Sequence, residues 1–385
     1  MRIQTIGWLL TFGTALLLLG VSLSGADDAA QKEGAPAAKV DRALYQKTAE
    51  RGVRYLLDKG AAADGSYSAQ TSPAVTAICV SALLRSGHSP DEPAIAKSLK
   101  YLENFAQSDG GVYKPGSAIQ NYETSIAIMC FAEANKDGRY KDLIKTAENY
   151  VKSIQWGANE LIDQSDMNYG GAGYGRSKTR PDLSNTSFLL DALQAAGAES
   201  DDIAVQRALV FVSRCQNLES QYNTTELAKK NPDGGFFYTI AEGGTSMAGD
   251  TEDGGKRSYG SMTYAGLKSM IFCGVKQDDV RVKAAVDWIR KHYDLASNPE
   301  MGQAGLYYGY HTLAKALDSL GSDIFKDAKG VEHPWKAELL NELTKRQQED
   351  GSWINSEKRF QEGDPNLVTA YALLALSYCK PVGAH

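Results

Sequence analysis

The sequence predicts an all-α protein, a single (α/α)6 toroid of six helical hairpins. Three observations carry that prediction: an apolar block that returns six times, an amphipathic helical pattern ahead of it, and a glycine turn with an aromatic between the two. Five blocks open on a threonine, at Thr76, Thr124, Thr186, Thr263 and Thr369, and Tyr310 takes that place in the fifth copy. Six residues on stands a small residue (Ala82, Cys130, Ala192, Ser269, Ala316, Ala375), followed by a large apolar one. Eleven residues on come Gly87, Asn135, Gly197, Gly274, Gly321 and Lys380, of which five tolerate a left-handed helix end.

The blocks are apolar nearly all round, as in Val368 to Leu376, so each helix must be buried on most faces. The preceding pattern carries an aromatic-aliphatic pair, at Tyr55-Leu56, Tyr101-Leu102, Tyr150-Val151, Phe211-Val212 and Trp288-Ile289, with charges on the other face. That is a surface helix. An inner ring of buried helices sheathed by an outer ring of amphipathic ones satisfies both patterns. Between outer and inner helix lie Asp64-Gly-Ser-Tyr67, Asp109-Gly-Gly-Val-Tyr113, Tyr169 to Tyr174, Asp233 to Tyr238 and Asp350-Gly-Ser-Trp353. Glycine permits positive φ there, and the aromatic plugs the seam.

The first residues stand apart. Arg2, the apolar run Trp8 to Val21 and the small residues Ser24-Gly25-Ala26 read as a secretory signal over residues 1–26, with a disordered leader over 27–40 and the toroid over 41–385. The expected address is periplasmic or secreted, with no transmembrane segment in the mature chain. A net charge of −6, one unit more negative once Arg2 is removed, argues against a nucleic-acid partner. Five cysteines, four of them in the apolar blocks, show no metal or disulfide spacing and are expected to be buried thiols.

Gln347-Gln-Glu-Asp-Gly351-Ser-Trp353 matches the Gln-x-x-x-Gly-x-Trp repeat of squalene and oxidosqualene cyclases, and Gln107 to Tyr113 is a near copy. From about Asp41 to Tyr378 the chain resembles the prenyltransferase and squalene-cyclase repeat superfamily. That resemblance implies the terpenoid-cyclase toroid, with the motif as a structural clasp.

The resemblance also says where catalytic groups would stand. Cyclases of this kind keep an Asp-x-Asp-Asp acid box immediately before one anchor threonine; here the third copy reads Asp182 to Asn185 there, and no copy has the box. Protein prenyltransferases keep zinc ligands before the inner helices, and the residues preceding the six anchors are Val75, Glu123, Asn185, Met262, Gly309 and Val368. No metal and no cofactor is expected. Asp250-Thr-Glu-Asp253 is a loose look-alike of the box that reads as a solvated turn.

Outer-to-inner connections are long at Trp156 to Leu183, Asn217 to Ser258 and Ala296 to Leu306, whereas inner-to-outer ones are short, so the insertions are expected at one rim. Six inner-helix N-termini gather there and would favour an anion. The loop charges are mixed, however: Arg176, Lys178, Arg180, Lys256 and Arg257 against Glu160, Asp163, Asp166, Glu242, Asp250, Glu252 and Asp253.

Candidate catalytic residues are Tyr310 and His311, which could serve a polysaccharide lyase as base and acid with Arg257 or Lys256 as charge partner, and Glu123, a lone acid at an inner-helix start. The plainer readings are hydrogen bonds within the ring wall for the pair and a helix cap for Glu123. Candidate ligand-binding residues are Tyr174, Arg257, Tyr264 and Tyr308. The expected function is an exported ring that binds a hydrophobic, isoprenoid-like ligand or a polymeric one such as a glycan at the loop-bearing rim, leaning away from catalysis. The alternative is an extracytoplasmic enzyme, either a polysaccharide lyase or a divergent terpene cyclase with a non-standard acid.

Overall fold

The computed structural model describes residues 39–158, 162–176 and 179–381. The signal and nearly all of the leader lie outside the described residues, as do Glu160 and Lys178. In chain order the helices are α1 (Arg42–Tyr55), α2 (Pro73–Arg85), α3 (Pro93–Glu103), α4 (Gln120–Ala134), α5 (Lys141–Ile154), α6 (Leu183–Ala195), α7 (Ile203–Arg214), the short α8 (Glu226–Lys230), α9 (Gly260–Phe272), α10 (Val280–Lys291), α11 (Leu306–Ser319), α12 (Trp335–Arg346) and α13 (Pro365–Ser377). Strands β1 (Phe325–Lys326) and β2 (Glu332–His333) pair antiparallel between α11 and α12.

The Thr-anchored blocks are α2, α4, α6, α9, α11 and α13. Each packs on the next, and α13 packs back on α2, so the ring is closed. Outer helices α3, α5, α7 and α10 lie against α2, α4, α6 and α9, while α1 lies against α13. This is the (α/α)6 toroid that the two helix patterns require. In α2 every residue from Pro73 to Leu84 is buried, whereas α5 buries Ile144, Ala147, Tyr150, Val151 and Ile154, a single face. No described helix is long and apolar enough to cross a membrane. All five cysteines are buried free thiols.

The anchor has a physical role. The hydroxyls of Thr76, Thr124, Thr186, Thr263 and Thr369 accept the backbone N–H of Tyr67, Val112, Ala172, Phe236 and Trp353, at 2.9 to 3.1 Å, pinning each glycine turn to its inner helix. Tyr310 does the same work with a longer reach: its hydroxyl donates to the Leu295 carbonyl at 2.6 Å. Buried backbone groups outside helices need such partners.

The glutamine motif is a second clasp. Gln347 donates to the Gly351 carbonyl at 2.9 Å and to Thr48 of α1 at 3.0 Å, while the Trp353 indole donates to Leu343 at 2.8 Å. Gly351 has φ +93°, and a Cβ there would meet the Arg51 carbonyl oxygen at 2.4 Å. The last turn is thereby fastened to the first helix. Gln155 and Gln216 make the same pair of bonds, to Gly170 and Ala204 and to Gly234 and Arg281.

Two expectations are corrected. Asn135 ends α4 at φ −89°, outside the left-handed region, because the Asn135 side chain instead accepts the Tyr140 N–H at 2.7 Å. Insertions are not confined to one rim: the β1–β2 hairpin joins α11 to α12, an inner-to-outer connection at the opposite rim.

Candidate functional site: two chambers in the bore

Each inner helix turns a stripe of residues spaced three or four apart toward the ring axis, such as Tyr308, His311, Lys315 and Asp318 of α11. The stripes enclose two chambers. The upper, about 290 Å³, lies among the inner-helix N-termini; the lower, about 590 Å³, lies among their C-terminal halves. Phe188 and Tyr371 line both and form the waist between them.

The upper chamber is aromatic. Tyr122, Tyr174, Tyr238, Tyr259, Tyr308 and Tyr371 share its wall with Phe188 and Phe360. Tyr122 meets Phe188 edge-on at 5.2 Å, and Tyr308 lies 5.9 Å from both Phe188 and Tyr371. Tyr174 and Phe360, 45 % and 46 % exposed, stand at its mouth. Two cations lie on these rings, Arg180 at 5.7 Å from Tyr238 and Arg359 at 4.9 Å from Phe360.

Carboxylates already serve the inner-helix N-termini that face this chamber. Asp182 caps α6 by accepting the Asn185 N–H at 2.8 Å, Asp364 caps α13, and Glu362 accepts the N–H groups of Tyr307 and Tyr308 at 2.9 Å. At these three helices the positive end is thus met by a carboxylate of the chain itself. Burial raises Asp182 to about 6, against hydrogen bonds from Asn185 and Tyr238. Glu362 is raised to about 6 by the same cause, against the bonds from Tyr308 and Asn355.

The lower chamber is half ionic. Asp191 of α6 receives Lys268 of α9 at 2.8 Å and Lys315 of α11 at 2.7 Å. Burial would raise the Asp191 carboxyl, but the two ammonium groups outweigh it and hold it well below the usual carboxylate range. Burial brings Lys268 down to about 8 in spite of Asp191. Nearer the mouth, Arg85 reaches Glu133 at 2.7 Å and Tyr378 at 3.2 Å. The rest of the wall includes Ile78, Ile126, Met129 and Leu374.

Of the residues singled out from sequence, Tyr174 and Tyr308 line the upper chamber and His311 the lower. Tyr310 is spent on Leu295 and lines neither; Tyr264 is buried and lines neither. Arg257 lies in the rim loop, its Nε donating to the Asp250 carbonyl at 3.1 Å. Tyr310, His311 and Arg257 are therefore not brought together. Glu123 accepts the Ser72 hydroxyl at 2.7 Å and the Lys114 N–H at 3.1 Å, tying α4 to the start of α2. His311 is held neutral: burial, then Lys315 and Arg85, push its imidazole down to about 3, and its buried Nδ1 has no hydrogen-bond partner.

Sequence reasoning passed over Asp191, Lys268 and Lys315. All three stand five residues after their anchors Thr186, Thr263 and Tyr310, where the other copies carry Ser81, Met129 and Leu374. Three charges at one register of otherwise apolar helices were the available signal.

Ring closure, the threonine and glutamine clasps and an aromatic upper bore define a squalene-cyclase-like toroid. Residues 53–239, just under half of the chain, match the family model of the squalene-hopene cyclase C-terminal domain, and this part of the chain is similar to that family. No curated protein matches the sequence. Among solved structures, a possible member of the GH105 family from Salmonella enterica is similar at 11 % identity and a TM-score of 0.49, over 89 % of this chain and 95 % of that one. A protein from Actinoplanes is similar at 14 % identity and a TM-score of 0.47, over 87 % and 99 %. A variant of the type II terpene cyclase MstE from Scytonema, in complex with geranylgeranyl dihydroxybenzoate, is similar at 14 % identity and a TM-score of 0.37, over 88 % and 97 %.

Proposed function

We propose that this chain is an exported binding protein that takes a hydrophobic, isoprenoid-like ligand into the upper chamber. The observation that carries this reading is the wall of six tyrosines and two phenylalanines around a single space of about 290 Å³, with Tyr174 and Phe360 at its mouth. Aromatic faces suit the alkene units of a polyprenyl chain, and burying such a chain is favourable by about 25 cal/mol per Å² of apolar surface. Val75, Ile119, Met247, Met262 and Leu367 add to the aromatic wall, and although Thr71, Ser72, Ser184, Ser261 and Gln361 also line it, apolar surface predominates, which favours the isoprenoid over the glycan. The address outside the cytoplasm rests on the reading of residues 1–26.

The test is thermal unfolding of the protein with geranylgeraniol. A ligand of the native ring raises Tm in proportion to its occupancy. Tyr174→Ala and Phe360→Ala, at the exposed mouth, are expected to weaken that ligand several-fold while leaving Tm without ligand nearly unchanged. A saturating concentration that leaves Tm unmoved would overturn the reading.

One observation favours a second reading, a divergent cyclase. Asp182, 2 % exposed and raised to about 6, occupies the first position of the missing acid box and is hydrogen-bonded by Tyr238 of the chamber wall. A carboxyl whose proton affinity is raised by burial is better placed to deliver a proton to an alkene than a solvated one. Product analysis after incubation with a polyprenyl substrate decides it: cyclised products lost in Asp182→Asn support the enzyme, and unchanged substrate supports the binding protein.

A further inference from the structure

Four aromatic side chains close the bore between the two chambers. Tyr122 of α4 and Tyr308 of α11 stand two residues before their anchors, whereas Phe188 of α6 and Tyr371 of α13 stand two residues after theirs. The inner helices touch in the order α2, α4, α6, α9, α11, α13, so α4 faces α11 across the ring and α6 faces α13. Two opposed pairs are thus crossed at successive levels.

The same four rings form a circuit. Tyr122 meets Phe188 at 5.2 Å, Phe188 meets Tyr308 at 5.9 Å, Tyr308 meets Tyr371 at 5.9 Å, and the Tyr371 hydroxyl returns to that of Tyr122. Ring contacts in this range are attractive and directional, so each ring holds its neighbours in place. Phe188 and Tyr371, 7 % and 6 % exposed, are the residues common to both chambers.

Helix geometry gives the depth of this girdle. Ser72 and Tyr259, four residues before their anchors, top the helical wall of the upper chamber, and Phe188 and Tyr371 lie six helical positions lower. At 1.5 Å per residue that is a depth of about 9 Å. An extended isoprene unit, four bonds of about 1.5 Å in zigzag, spans about 5 Å. About two units fill the depth, and the rings of Tyr174 and Phe360 at the mouth cover a third. Below the girdle the lower chamber continues for seven further positions, to Arg85 and Tyr378, or about 10 Å.

We propose that the girdle of Tyr122, Phe188, Tyr308 and Tyr371 determines which isoprenoid chain length the protein prefers: the tail ends against these rings, and a longer chain leaves its excess outside the mouth. Phe188 is the specificity-determining side chain, because it lines both chambers and touches two of the other three rings. Replacing it with a small residue joins the chambers and lets the chain run on between Ile78 and Ile126. This inference rests on the upper-chamber reading.

The experiment titrates the full chain by calorimetry with geraniol, farnesol and geranylgeraniol, which carry two, three and four isoprene units. In the unaltered protein farnesol is expected to bind at least tenfold more tightly than geraniol, and geranylgeraniol within about threefold of farnesol. In Phe188→Ala the fourth unit enters the lower chamber, and geranylgeraniol should bind at least tenfold more tightly than farnesol. Adding Ile126→Phe to that variant returns a ring to the same level from α4 and should restore the preference of the unaltered protein. Geranylgeraniol binding tenfold more tightly than farnesol to the unaltered protein overturns the proposal without recourse to any variant. A folded Phe188→Ala protein that binds farnesol and geranylgeraniol alike overturns it as well. Both failures leave the upper-chamber reading standing, because prenols still bind; binding of none of the three overturns that reading and this inference with it.

Discussion

Lys268 and Lys315, from neighbouring inner helices, donate to the same oxygen, Oδ1 of Asp191, at 2.8 and 2.7 Å. Three helices of the ring are cross-linked through one atom, and the three charges are not interchangeable.

Removing Asp191 strands two ammonium groups inside the bore, whereas removing Lys315 leaves a matched pair. Asp191→Leu is expected to cost about 3–5 kcal/mol and Lys315→Met less than about 1 kcal/mol. Urea unfolding midpoints of the two variants check the ranking; equal losses would contradict it.

The threonine clasp makes a prediction about the anchor positions. Thr369→Val deprives the buried Trp353 N–H of its acceptor at 3.0 Å and should cost about 1–3 kcal/mol. Tyr310→Phe removes the bond to the Leu295 carbonyl and should fall in the same range, without effect on ligand affinity in the upper chamber. Chemical denaturation paired with ligand titration separates the two readouts.

Positive φ alone and positive φ with crowding can be told apart. Gly87 has φ +101° with nothing within 4 Å of an added Cβ, while Gly351 adds a clash with the Arg51 carbonyl at 2.4 Å. Gly87→Ala should cost about 1–2 kcal/mol. Gly351→Ala is expected to cost clearly more, because it also pries the last turn from α1, and comparison of their melting temperatures tests this.

Buried ionisable groups set opposing pH dependences. Asp182 and Glu362, both raised to about 6, bind protons more tightly folded than unfolded, so each adds stability as pH falls through about 6, complete below the ordinary carboxylate value. His311, pushed down to about 3, takes its proton more readily when unfolded and so removes stability as pH falls from 6.5 toward 3. Relative to the unaltered protein, Asp182→Asn should therefore improve by about 2 kcal/mol between pH 4 and pH 7.5. His311→Phe should improve in the opposite direction, toward low pH. Stability curves across that range that run parallel for all three proteins would contradict both assignments.

The ring itself was legible because periodicity and the anchor threonine repeat at every hairpin. The glutamine clasp was legible at Gln347, where glutamine and glycine are four residues apart; Gln107 has the same spacing but donates instead to the Phe105 and Tyr113 carbonyls, and the clasp was hidden at Gln155 and Gln216, where insertions separate the two residues by 15 and 18. Register explains the rest. Positions six and seven after the anchor repeat in chemistry and draw attention, whereas position five is Ser, Met, Asp, Lys, Lys and Leu, and its meaning emerges only when the helices stand side by side. Tyr310 broke the pattern in sequence yet keeps the pattern's job in space, since a phenol reaches the carbonyl that a threonine could not.

The closure of α13 on α2, with α1 lying against α13, makes the order in which the hairpins are connected secondary to the order in which they touch. A chain cut between α7 and α9, with Tyr378 joined to Asp41 by a short linker, would present the same six neighbours to one another. Circular permutation of this molecule thus asks whether the torus is a property of its contacts or of its starting point, and a permuted chain that folds with both chambers intact would assign it to the contacts.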